Sequence, residues 1–340
     1  MTRVATIDKR RILSLVAAAA MVIVTVMAMI VPRVARAATS DGIAGTFTVN
    51  NGTFDVDNVT VYTTVGASTT NPSPNADYHV KVSVTDLNGL DKLTQVNVIL
   101  FWESDGAYFA ADQNTLSDNV QTHATFKWTP AGDFVLIGPS SIKWTCDNSS
   151  SIEPSSFAVT QDYFEFHVHI GDVATYAPSG STPRWFAYAS ATAGAATPSN
   201  ASGALTMQWY GAIDAAATVT WTGAAPGTGY TEQNVSVNYV ANGTYNKSAE
   251  ATSPWTGTAN ASLVNSDTPG ANQFALKADD TNGSEPGSDH GLVNTGYTVI
   301  GAGTQTFEAG HDDVSGVWLK IGSPFTAGAY TGTITFQISN

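Results

Sequence analysis

The chain has 340 residues, 43% hydrophobic, 10% aromatic and only 12% charged, and its length suits one large domain or two of ordinary size. Its 14 basic against 28 acidic residues give a net charge of −14, which excludes the basic face that binding nucleic acid requires. The single cysteine, Cys146, excludes an intrachain disulfide framework and any multi-cysteine zinc site.

The first forty residues differ from the rest. Arg3, Lys9, Arg10 and Arg11 precede an uncharged, apolar run from Ile12 to Val31, and Ala35-Arg36-Ala37 comes after it. A basic segment, an apolar segment and an A-x-A site in that order describe a secretory signal peptide, residues 1–37, cut after Ala37. The 20-residue run is also long enough to cross a bilayer, so retention of residues 12–31 as a membrane anchor is the alternative. A pilin-type leader fits less well, because no glycine follows the basic cluster. All three readings put the remainder outside the cell. Residues 1–37 hold six basic residues and one acidic residue, so residues 38–340 carry 8 basic and 27 acidic side chains, a net −19. Such a charge favours solubility and repels anionic surfaces, so membrane contact is expected only through residues 12–31.

Beyond residue 40 the chain alternates with period two. Successive predicted strands are Gly45–Val49, His79–Thr85, Gln95–Phe101, Tyr163–Ile170, Leu205–Tyr210, Ala217–Thr222, Asn234–Val240 and Tyr330–Ile338. Their Val, Thr, Ile and aromatic residues suit a pleated, half-buried surface. Asn71-Pro-Ser-Pro74, Pro226-Gly-Thr-Gly229 and Thr281-Asn-Gly-Ser284 supply turn chemistry between strands. Helical periodicity with caps is absent. The expectation is all-β, with two β-sandwich domains, immunoglobulin-like or jelly-roll-like, following the signal peptide or anchor helix. The small-residue stretch 192–204 reads as a long hairpin inside the first domain. The boundary is placed near residue 213, giving domains 38–213 and 214–340.

The segment Val80–Leu100 runs an alternating strand into Asp86-Leu-Asn-Gly-Leu90 and out into a second alternating strand. It resembles the immunoglobulin-like and fibronectin-like domains of exported microbial proteins. Gly328–Ser339 is similar to the closing strand of many prokaryotic surface sandwiches. Together the two cover about thirty residues, and the resemblance implies architecture rather than activity. The chain departs from the antibody pattern in lacking its Cys…Trp…Cys pin, so its core must hold by packing alone.

Several patterns could carry chemistry. Glu165, His167 and His169 occupy alternate positions of one strand and therefore share one face, with Phe164, Phe166, Val168 and Ile170 on the other. Two imidazoles and a carboxylate can hold zinc or copper, and equally they can be the polar outside of a strand whose inside is aromatic. The acidic loop with Asp279, Asp280, Asn282, Glu285 and Asp289 offers oxygen ligands to calcium, without the EF-hand spacing, and reads otherwise as a solvated loop. The turn Asp86–Asp91 is a smaller version of the same signal. Nine Asn-x-Ser/Thr sequons, at Asn51, Asn58, Asn148, Asn200, Asn234, Asn242, Asn246, Asn260 and Asn282, are candidate glycan acceptors in an exported chain, although Asn, Ser and Thr also meet in turns for other reasons. Of eight tryptophans, Trp255 in Ser253-Pro-Trp-Thr-Gly257 has turn-like flanks and is the candidate platform for stacking a sugar ring.

Gly-x-Ser-x-Gly, His-Glu-x-x-His and phosphate-binding glycine loops are all missing, and Cys146 has no neighbouring histidine in sequence. The chain is therefore expected to be no enzyme but a secreted or cell-surface structural or interaction protein: a surface-layer, filament or adhesin subunit, glycosylated, with itself or other surface proteins as partners. A carbohydrate-binding module that takes glycans is the first alternative. A metal-dependent enzyme built on Glu165, His167 and His169 is the second. No cofactor is required by the sequence, and calcium remains a candidate.

Overall fold

The structure, a computed structural model, describes residues 52–103, 119–180, 184–216 and 218–340. The export segment 1–37 with its apolar run 12–31, the strand expected at Gly45–Val49 and the sequon Asn51 lie outside the described residues. Among the described residues no helix is long and apolar enough to cross a membrane.

The chain is β throughout, with two one-turn 3-10 helices, Leu90–Lys92 and Ser288–His290, among the described residues. Nine strands come first among the described residues: β1 (Phe54–Thr63), β2 (Ala76–Asp86), β3 (Leu93–Glu103), β4 (His123–Thr129), β5 (Asp133–Gly138), β6 (Thr145–Cys146), β7 (Gln161–Ile170), β8 (Arg184–Ala193) and β9 (Ser199–Ala201). They form one antiparallel sheet in the order β1-β2-β7-β6 and another in the order β5-β4-β3-β8-β9. Valines of β1, β2 and β3 meet Phe126 and Trp128 of β4, Phe134 of β5, Phe164 and Phe166 of β7 and the alanines of β8 in a single core. Two sheets sharing one core make a sandwich, and alternation decides which side chains enter it. Trp128 packs on Phe164 with centroids 4.6 Å apart, and Phe134 meets Phe166 edge-on at 4.9 Å.

Ten strands complete the chain: β10 (Gly211–Ala216), β11 (Thr231–Ala241), β12 (Tyr245–Ala251), β13 (Thr256–Gly257), β14 (Ser262–Leu263), β15 (Gln273–Asp279), β16 (Thr298–Gly303), β17 (His311–Ile321), β18 (Tyr330–Thr331) and β19 (Ile334–Ser339). The order β10-β11-β17-β15-β14 makes one sheet, β16-β12-β19 another, and β13 pairs with β18. A second core gathers Val235, Val237 and Tyr239 of β11, Tyr245 and Ala249 of β12, Phe274 and Leu276 of β15, and Val317 and Leu319 of β17.

Three predicted strands fare differently in detail. Ala217–Thr222 alternates, yet residues 218–222 are irregular; Trp221 instead lies against Trp255 and donates its indole N–H to the carbonyl of Thr231 at 2.8 Å. Leu205–Tyr210 is extended but forms no ladder, because its amides are taken singly: Thr206 donates to Thr70 and Gln208 to Pro72. Tyr330–Ile338 is broken between β18 and β19, where Gly332 lies against the Trp255 indole so closely that a Cβ would stand about 2.0 Å from the ring. The stretch 192–204 is a hairpin, β8 turning into β9.

A hydrogen-bonded seam joins the two sandwiches. Asn242, fully buried, donates from Nδ2 to the carbonyls of Ala174 and Gln208, both at 2.8 Å, and accepts from the amide of Tyr210 at 2.8 Å. Beside it Gln121 reaches the carbonyl of Thr306 at 2.7 Å, and Gln305 reaches that of Val173 at 2.8 Å.

Candidate functional site

Strands β2 and β7 pair antiparallel with Asp77 opposite His169, His79 opposite His167 and Lys81 opposite Glu165. Both strands bury every second residue: Tyr78, Val80 and Val82 on β2, and Phe164, Phe166 and Val168 on β7. The intervening polar residues are thereby placed on the outer face, and register brings them together across the ladder. The far edge of β7 is also fixed, with Ile152 and Glu165 exchanging amide hydrogen bonds at 2.9 Å and Ser151 Oγ accepting from the amide of His167.

One group of metal-ligating side chains converges among the described residues: His79, Glu165 and His167, whose ligand atoms lie within 4.8 Å of one another. Glu165 Oε1 is 2.9 Å from His79 Nδ1 and 3.3 Å from His167 Nε2. The two imidazoles stack, with centroids 3.6 Å apart and planes 23° from parallel. Burial first, and then the neighbouring His167, holds the pKa of His79 below its ordinary 6.5, against the opposing pull of Glu165. A neutral imidazole is the form that ligates a metal.

The partner that completes this group is not the one the strand pattern names. His169 turns to Asp77, with Nδ1 to Oδ1 at 2.7 Å, and the third member is His79 from the adjacent strand. A cleft of about 230 Å³ opens over the cluster, lined by Asp77, His79, His167 and His169 and walled by Thr145, Asp147 and Ser150 from β6 and the turn after it. Asp147 is held down to about 2 by hydrogen bonds from Ser149 and Ser150, which places a fixed negative charge at the rim. Two nitrogens, a carboxylate and an open side toward the cleft could supply the donor set of a three-ligand zinc or copper site. Because the rings are near-parallel, their in-plane lone pairs do not yet point at one spot, and a bound ion requires the imidazoles to rotate. Cys146, beside this cleft on β6, is an idle thiol: burial pushes it up to about 11.

Other candidates are placed elsewhere. In the acidic loop each carboxylate but one has a lysine or histidine partner at close range. Asp279 pairs with His290 at 2.9 Å, Asp280 with Lys247 at 3.2 Å and Glu285 with Lys277 at 2.9 Å, while Asp289 is exposed and 3.9 Å from His290. Asn282 is exposed as well. These oxygens do not converge, so the loop is no preformed calcium cradle. Asp86 is buried and accepts from the amide of Asn88, and Asp91 pairs with Lys92, which makes that segment a tight turn.

Trp255 is buried, 9% exposed, with its ring 4.8 Å from Phe274, so it belongs to the second core and offers no platform. None of the eight tryptophans is exposed. Among the sequons, Asn58, Asn148, Asn234, Asn246, Asn260 and Asn282 are exposed. Asn242 is the buried keystone of the seam, and a glycan on its Nδ2 would displace both hydrogen bonds it donates. Asn200 is half-buried, its Nδ2 bonded to the carbonyls of Val56 and Asp57 at 3.0 Å, where it caps the β1 edge at a bulge.

No family model matches this sequence, and no curated protein matches it. Among solved structures it is similar to the CsuC–CsuE chaperone–tip adhesion subunit pre-assembly complex from archaic chaperone-usher Csu pili of Acinetobacter baumannii, at 10% identity over 80% of this chain and 97% of that one, with a TM-score of 0.29. A likeness at that score says nothing about what this chain does.

Proposed function

We propose that the chain is an exported structural or interaction protein of a cell surface, a subunit that works by packing its sandwiches against neighbouring proteins. The observation that carries this reading is the seam: two β-sandwiches are joined through the buried Asn242 and the flanking glutamines rather than through a loose linker. Such a unit transmits load and presents fixed surfaces. The basic, apolar and A-x-A order of residues 1–37 supports export. Sheet edges support association, since β5 ends its sheet with Val135 and Ile137 exposed and β16 ends another with Val299 exposed. Exposed sequons add glycosylation to the proposal, at Asn58, Asn148, Asn234, Asn246, Asn260 and Asn282. The test is electron microscopy and sedimentation of the secreted chain at high concentration. Filaments, sheets or discrete oligomers are expected; a monomer throughout, with no surface partner recovered by cross-linking on the producing cell, would falsify the reading.

A second reading is favoured by the His79–Glu165–His167 cluster, which makes the first sandwich a binder of zinc or copper and, with the open side of the cleft, a seat for metal-assisted chemistry. Elemental analysis and calorimetric titration with Zn²⁺ test it, and absence of both bound and titratable metal removes it. Burial of Trp255 takes away the feature that motivated sugar binding.

A further inference from the structure

In the second sandwich Lys247 is 5% exposed although it is a lysine on a strand. It sits on β12, in the sheet β16-β12-β19, and its side chain crosses the core toward the facing sheet. There it meets Asp313 on β17 and Asp280, the residue after β15. Nζ is 3.2 Å from Asp280 Oδ2, in hydrogen-bond geometry. It is 2.5 Å from Asp313 Oδ2, inside the roughly 2.7–2.9 Å of a charge-assisted N–H···O bond. That short approach is also misaligned, for the buried Oδ2 has no hydrogen-bond partner. The surroundings are aromatic and dry: the Tyr239 ring centroid is 5.5 Å from Nζ, and Tyr239, Tyr245 and Ser315 are buried.

An ordinary ion pair is the competing account, and the same domain provides one for comparison. Lys277 is equally buried, yet it stands 2.9 Å from both Asp267 and Glu285, bonds to the latter in good geometry, and both carboxylates are about half exposed. At Lys247 the carboxylates are 14% and 22% exposed and the closest approach is not a hydrogen bond. We propose that Lys247 and Asp313 condense into an intramolecular isopeptide bond, with Asp280 as the proton carrier.

The chemistry balances without any co-reactant. The resting group is an ammonium between two carboxylates; burial opposes its charge, and the pull of Asp313 and Asp280 outweighs burial. Asp280 takes a proton from Nζ through the 3.2 Å contact, leaving an amine lone pair beside Asp313. The lone pair attacks Cγ of Asp313 once Asp280 has handed that proton on to Oδ2 of Asp313, forming the N–C bond. The tetrahedral centre then loses Oδ2 as water, which carries away the second Nζ hydrogen by way of Asp280. Oδ1, 3.1 Å from His311 Nε2, remains as the amide oxygen. One ammonium and one carboxylate become one amide and one water. The bond would tie the β16-β12-β19 sheet covalently to the sheet that faces it, whatever the partners of the protein are.

The full chain, made in a host without N-glycosylation, is digested with trypsin under denaturing conditions. The expected product is a branched species lighter by one water, about 18 Da, in which peptide 185–277, uncut at Lys247, is joined to peptide 278–320. Fragmentation should place the link between Lys247 and Asp313. Cleavage after Lys247 with both peptides at unmodified mass would overturn the proposal, as would a link to Asp280 in place of Asp313. Lys247→Arg gives the unlinked reference, and Asp280→Asn should lose most of the linked species. Full linkage in Asp280→Asn would remove Asp280 from the mechanism.

Discussion

His79 and His167 stack face to face across β2 and β7, 3.6 Å between ring centroids, with Glu165 Oε1 bridging a nitrogen of each. Two imidazoles that close repel one another when both are charged, and together they can share a divalent cation. We expect Zn²⁺ to bind, and His79→Ala to weaken it at least about tenfold, since even removing an outer partner of a ligand costs that much. His167→Ala should do the same. His169→Ala should change little, because His169 is committed to Asp77. Calorimetric titration of the three variants separates this cluster from the single-strand set Glu165, His167 and His169; equal losses at His79 and His169 would count against the assignment.

The same cluster sets a pH dependence. Because the folded His79 pKa lies below 6.5, the unfolded chain takes up a proton there at higher pH than the folded chain does. Its stabilising contribution is complete above about 6.5 and declines as pH falls through the folded value. Glu165 and His167 face the ring, and Lys81 and Asp77 flank it on the same outer face of β2. Melting temperature should therefore fall on acidification from about pH 7 to about pH 5. His79→Gln should flatten part of that slope, and an unaltered slope would show that another group carries it.

Much of this fold is legible in the sequence, because period-two burial writes itself into β2, β3, β7 and β11. The outer-face position of Glu165, His167 and His169 follows from the same alternation. What alternation cannot supply is the neighbour of a strand. His79 and His167 are 88 positions apart in the chain, and only the β2–β7 pairing makes them adjacent. Alternation also misleads where side chains rather than ladders satisfy the backbone: residues 218–222 pattern as a strand, yet Trp221 is spent on Trp255. The acidic loop shows the converse limit. Its composition invites calcium, while Lys247, Lys277 and His290 have already claimed the carboxylates. Millimolar calcium should accordingly leave the melting temperature of the chain unchanged, and a rise of several degrees would show that the loop reorganises around the ion.

Asn242 makes a sharper claim on the seam. Asn242→Ala leaves the amide of Tyr210 and the carbonyls of Ala174 and Gln208 without their partner. Each buried orphan costs ~1–3 kcal/mol, so we expect a loss of at least ~2 kcal/mol in denaturant unfolding. If the seam couples the halves, the variant should also unfold in two transitions where the parent shows one. Glycopeptide mapping of the secreted chain should find Asn242 bare in all folded material. A glycan there would mean that modification precedes folding and that the seam is absent from the mature protein.

Trp255 separates the core reading from the sugar-binding one. Its ring is flanked by Phe274 and Trp221 and covered by the backbone at Gly332. Trp255→Ala should cost ~3–5 kcal/mol, the range for deleting a buried aromatic side chain. Gly332→Ala should destabilise independently, because its Cβ has no room above the indole. Retained stability in Trp255→Ala together with loss of binding to a glycan array would make Trp255 a recognition residue. Loss of stability in both variants, with the second sandwich failing before the first, places the indole where the packing does: between the two sheets, closing the end of the core at the break between β18 and β19.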